Sequence, residues 1–106
     1  IIHGTLDESL PYAGNSFYNS VQSQIDFWVN VNNTDSIPLV SSETSPYGIT
    51  TDHYRYLNGD NDVSVEHYKI IDGGHVWRMD QQIYPSGNPE DDTGLILWEF
   101  FERYSL

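Results

Sequence analysis

Two short stretches hold residue types from which an acid–base pair can be built. In His3-Gly4-Thr5-Leu6-Asp7 a carboxylate follows the apolar pair Ile1-Ile2, and the ends of such strands are where α/β sheets collect functional groups. In Gly73-Gly74-His75 an imidazole sits on a Gly-rich loop after a second apolar stretch. If Ile1-Ile2 and Val65 to Ile71 run parallel in one sheet, Asp7 and His75 leave it at the same edge and can meet. A carboxylate that accepts from a His Nδ1–H fixes the tautomer and stabilises the imidazolium, leaving Nε2 to take a proton from a nucleophile. Each residue also has a plainer reading. Asp7, in a loop flanked by Gly and Pro, suits an Asx turn, and His75 suits a hydrogen-bonded loop histidine. Trp77, two positions past the imidazole, suits an acyl or aryl pocket and equally a core or rim position.

Positioning such a pair requires strands and helices, and the sequence alternates between them. Residues 1 to 3 read as the end of a strand and Gly4 to Gly14 as a loop. A helix follows, capped by Asn19 with Gln22 three positions on, and Val21, Ile25, Trp28 and Val29 form its apolar stripe. Asn30 to Gly48, rich in Ser, Thr and Asn with Pro38 and Pro46, reads as a long surface connection. Thr50 to Leu57 and Val63 to Ile71 alternate around Asn58-Gly59-Asp60-Asn61-Asp62, as a hairpin with a five-residue loop does. Residues 78 to 92 are polar with two prolines, and Leu95, Trp98, Phe100 and Phe101 mark a final amphipathic helix ending near Arg103. Trp28 and Trp98 read as core residues. His53 and His67, on the hairpin, are spaced for a cross-strand pair but lack a third metal ligand, which favours ordinary strand residues. Asp60-Asn61-Asp62 lacks the spacing and terminal Glu of a calcium loop.

Composition narrows the partners. The 106 residues are 38% hydrophobic, enough for one small core, and neither Cys nor more than one Met is present. Four basic against sixteen acidic residues give a formal charge of −12. That charge repels phosphate backbones and anionic headgroups, so neither nucleic acid nor a membrane surface is an expected partner. No run approaches the ~18 apolar residues of a membrane span. No metal or other cofactor is expected.

The segment from His3 to Gly14 resembles the surroundings of the triad Asp in the polyhydroxybutyrate depolymerase and feruloyl esterase-like family. Phe27 to Asn32 resembles its Trp-bearing helix end, Val65 to Trp77 the strand and loop of its triad His, and Ile96 to Phe101 its last helix. The resemblance implies the C-terminal portion of an α/β-hydrolase sheet: strand, helix, β-hairpin, His loop and final helix. Residues 1–106 are then one segment of a single domain whose nucleophile-bearing part precedes Ile1. It implies Asp7 and His75 as triad acid and base, Trp77 near the substrate, small-molecule or polymeric esters as substrates, and a secreted or periplasmic location. The chain departs from the family in three respects. Asn33-Thr34 and Leu57-Asn58 stand where many members have Cys. No Gly-x-Ser-x-Gly elbow occurs, because no two of the eight glycines stand four apart, and Arg78-Met79 replaces the usual Pro-Gly after Gly-Gly-His-x-Trp. As a segment, the chain is expected to leave Ile1-Ile2, Val65 and the Trp28 face uncovered, to be met by the rest of the protein or by a strand-swapped copy. The alternatives are a decayed, inactive hydrolase, or a non-catalytic acidic module binding carbohydrate or protein through Tyr54, Tyr56, Tyr68 and Trp77.

Overall fold

The computed structural model describes residues 1–45, 48–75 and 93–104. Their order is β1 (Ile2–Gly4), α1 (Val21–Asn32), β2 (Leu39–Thr44), β3 (Thr50–Tyr56), β4 (Val65–Ile70) and α2 (Thr93–Glu102). The strands form one mixed sheet in the order β1-β4-β3-β2, so this is a small α/β fold. β1 pairs parallel with β4, Ile2 opposite Tyr68 and Gly4 opposite Ile70. The parallel arrangement expected of these two strands is therefore present, and Asp7 and His75 follow the same end of both. Residues 77 to 92, with Trp77, Arg78 and Met79, lie outside the described residues.

Side chains alternate across the sheet, and the register decides which face each takes. Tyr54 and Tyr56 stand opposite His67 and Val65, while Thr51, His53 and Arg55 stand opposite Ile70, Tyr68 and Glu66. Helix α1 covers the first face. Val21 and Ile25, each 1% exposed, pack with Tyr56 and Val65, and Ile1, Tyr12, Val29 and Tyr54 close around them. Burying a side chain such as Ile25 contributes about 1.5–3 kcal/mol. Val65 is thus covered within this chain, contrary to the expectation of an open face.

Several boundaries differ from the sequence reading. The helix cap is Ser20, not Asn19: its Oγ accepts from the Ser23 N–H at 3.1 Å. The helix ends on Asn33, whose left-handed backbone (φ 56°) turns its N–H back to the Asn30 carbonyl. The presumed connection from 30 to 48 contains the last turn of α1 and a whole strand, β2. All six β2 residues are exposed, so no burial alternation marks it, and β3 holds it through backbone pairing. The hairpin pairs from Tyr56 to Val65, which makes its loop residues 57–64 rather than five residues. Asn58, Asn61 and Asp62 take positive φ there, as residues that tolerate the left-handed region do.

The tryptophans are not core. Trp28 is 48% and Trp98 65% exposed, because the buried sides of their helices are carried by Val21 and Ile25 in α1 and by Ile96 in α2. His53 and His67 occupy opposite faces, since His53 stands opposite Tyr68 and His67 opposite Tyr54. The period-two alternation therefore removes the cross-strand pair. No cluster of three possible metal ligands occurs among the described residues, and none of the described helices is long and apolar enough to cross a membrane.

Candidate active site

The site is built where β1 and β4 run out side by side. Thr5 N–H donates to the Ile70 carbonyl (3.0 Å) and Leu6 N–H to the Gly73 carbonyl (2.9 Å). Thr5 Oγ1 accepts from the Asp72 N–H at 2.8 Å. The two loops are thereby tied before either functional side chain emerges. Gly4 makes the approach possible: a Cβ there would overlap the Gly73 carbonyl and lie 2.9 Å from the Gly74 oxygen. Only hydrogen fits between these backbones.

Asp7 and His75 meet. His75 Nδ1 lies 2.7 Å from Asp7 Oδ2, with the carboxylate side chain 5% and the imidazole 56% exposed. The other carboxylate oxygen, Oδ1, accepts from the N–H groups of Ser9 (2.9 Å) and Leu10 (2.8 Å). The turn-forming and the His-orienting readings of Asp7 are both satisfied, one oxygen to each. Burial works to raise the Asp7 carboxyl, but the Leu10 N–H, the His75 hydrogen bond and charge, and the Ser9 N–H together hold it below its usual value. An ionised carboxylate only accepts, so His75 carries its ring proton on Nδ1 and its basic lone pair falls on Nε2. The pair borders a cavity of about 350 Å³, lined also by Ile2, Leu10 and Ile70.

The loop that carries Asp7 is anchored further along. Tyr12 Oη lies 2.7 Å from His67 Nε2, and His67 Nδ1 lies 3.1 Å from the Ile1 carbonyl. The carbonyl can only accept, so His67 is the Nδ1–H tautomer and Tyr12 donates to Nε2. Burial pushes the Tyr12 hydroxyl up to about 12, so it keeps its proton. Burial likewise lowers His67 to about 4, against the opposing effect of its bond to the Ile1 carbonyl. The unfolded chain, with a pKa near 6.5, binds a proton that the folded chain refuses until about pH 4. Stability therefore rises with pH across that window, and acidification from pH 7 to 4 is expected to cost about 3 kcal/mol. The depressed Asp7 carboxyl adds to the loss at still lower pH. Urea unfolding between pH 4 and 7 measures the slope, which should largely vanish in His67→Gln. An equal slope in that variant would place its origin elsewhere.

A second polar cluster, unmarked in the sequence, lies on the opposite face. Glu66, 6% exposed, accepts from His53 (2.8 Å), Arg103 (2.7 Å) and Ser64 (3.2 Å). Burial alone would raise its carboxyl, yet the His53 hydrogen bond and the Arg103 charge leave it lowered. Ser64 also bonds Tyr104 at 2.7 Å, so the cluster pins the end of α2 to β4. Beside it runs an apolar groove of about 580 Å³, lined by Ile2, Trp28, Tyr68, Ile96 and Phe100 among others.

Comparison with family models, with curated proteins and with solved structures gives no match. The assignment of chemistry therefore rests on the geometry of Asp7 and His75. The tyrosines of the alternative binding module do not form a shared platform. Tyr56 is buried in the core, Tyr54 stacks on His67, and Tyr68 stacks on His53 across the sheet. His3 was part of the motif around Asp7, but nothing in its spacing marked it as a contact of that carboxylate; its Nε2 lies 3.5 Å from Asp7 Oδ2.

Proposed function

We propose that this chain supplies the acid and base of a Ser-His-Asp carboxylic ester hydrolase acting on polyester, feruloyl or acetyl esters. The observation that carries the reading is the 2.7 Å contact between His75 Nδ1 and a buried Asp7 whose other oxygen is already held by two backbone N–H groups. A base oriented in this way carries its basic lone pair on Nε2, and the pair borders a cavity, as proton transfer from a serine calls for. The resemblance of His3 to Gly14 and Val65 to Trp77 to the depolymerase and feruloyl esterase-like family supports the same chemistry.

In the proposed reaction a serine hydroxyl attacks the ester carbonyl while His75 Nε2 takes its proton. The tetrahedral intermediate collapses, and His75 returns that proton to the departing alcohol. Water then attacks the acyl-enzyme with the same base, releasing the acid and restoring the serine. Asp7 pairs with the imidazolium in both halves. The sequence has no Gly-x-Ser-x-Gly, so in this reading the serine and the oxyanion donors come from a part of the full-length protein outside these 106 residues, in the same molecule or in a second one. The outer edge of β1, a sheet margin, is a suitable place for either to join.

The test is turnover of p-nitrophenyl acetate and methyl ferulate by the full-length protein, together with labelling by a fluorophosphonate. Hydrolysis with one phosphonylated serine is expected. A folded protein that hydrolyses neither ester and takes up no label would overturn the proposal and favour the decayed hydrolase.

A further inference from the structure

His3 stands on β1, on the sheet face it shares with Lys69, and its side chain is 15% exposed. Its Nε2 lies 2.7 Å from the Leu10 carbonyl oxygen. A carbonyl only accepts, so His3 is the donor and its proton is on Nε2. Leu10 is consequently held at both ends, its N–H by Asp7 Oδ1 at 2.8 Å and its C=O by His3. Pro11 follows and brings no N–H of its own. The edge of the His3 ring also meets Tyr12, with 5.8 Å between ring centroids.

Cutting the His3 bond would free the Leu10 carbonyl and loosen the turn whose N–H groups fix Asp7. The carboxylate could then rotate about its terminal torsion, and the oxygen now aimed at His75 would lose its direction. We infer that His3 is a positioning residue for the Asp7–His75 pair, holding Leu10 by its carbonyl so that Oδ1 stays occupied and Oδ2 stays on His75. The inference rests on the reading of Asp7 and His75 as acid and base.

The test reads the ring tautomers of the neutral histidines by long-range ¹H–¹⁵N NMR on the full chain. It compares the natural protein with His3→Gln, whose amide can replace the Nε2–H donor, and His3→Leu, which has none. His75 is expected as Nδ1–H in the natural protein and in His3→Gln, and as a mixture of tautomers in His3→Leu. In the full-length protein kcat should fall about tenfold in His3→Leu with KM little changed, and recover in His3→Gln. A purely structural role would lower stability without moving the His75 tautomer. A His75 that remains Nδ1–H in His3→Leu overturns the inference. So does a proton found on Nδ1 of His3 in the natural protein, an observation that needs no variant to fold. His75 tautomers as expected in all three proteins, without ester hydrolysis by the natural protein, would sink the proposed reaction and leave the positioning of the Asp7–His75 pair standing; a natural His75 that is not Nδ1–H would sink both.

Discussion

Replacing His75 by Ala in the full-length protein is expected to lower kcat for ester hydrolysis by about 10⁶-fold, the scale seen when the base of a Ser-His-Asp unit is removed. The fold should survive, because the ring is more than half exposed and lies beyond the end of β4. Its loss takes one hydrogen bond from Asp7 and leaves the Ser9 and Leu10 bonds in place. Urea unfolding should therefore agree with the natural protein within about 1 kcal/mol. That control separates a missing base from a missing structure. An unchanged rate in a folded His75→Ala protein would remove His75 from the reaction.

Asp7→Asn is the sharper experiment, because it keeps the turn and reverses one donor. The amide oxygen can still accept from Ser9 and Leu10, which directs the amide nitrogen at His75 Nδ1. Two donors cannot face each other, so the imidazole must place its lone pair on Nδ1 and its proton on Nε2. The atom that should accept the serine proton is then already protonated. The expected loss is roughly 10³ to 10⁴-fold in kcat, with a urea midpoint close to that of the natural protein. A loss below about tenfold would confine Asp7 to its turn.

The parts of this arrangement legible in the sequence are those that depend on residue type close to a strand end. Asp7 after Ile1-Ile2 and His75 after Ile70-Ile71 could be placed at one sheet edge because short apolar runs ending in Gly-containing loops leave few alternatives. The hairpin was readable from its alternation. β2 was not, because six exposed residues carry no burial pattern and the strand exists through its hydrogen bonds to β3. The tryptophans misled for a related reason. The stripe in α1 was drawn wide enough to include Trp28, whereas Val21 and Ile25, with Val29 beside them, carry the packing against the sheet. His3 escaped notice because it acts on a backbone carbonyl, and no pattern of residue types records which carbonyl a side chain will reach. Glu66 escaped because its partners come from β3 and the end of α2, 13 and 37 positions away.

The parallel pairing of β1 with β4 has a consequence for how the molecule assembles. Tyr56 meets Val65 across a short loop, but Ile2 meets Tyr68 only after most of the chain has been gathered between them. Closing the longer loop costs about 2 kcal/mol more chain entropy than closing the hairpin. The hairpin can therefore form early by local encounter, while β1 docks late, as pairings of high sequence separation do. Asp7 and His75 come together in the same late event, so the His75 imidazole is oriented only in chains that have finished folding.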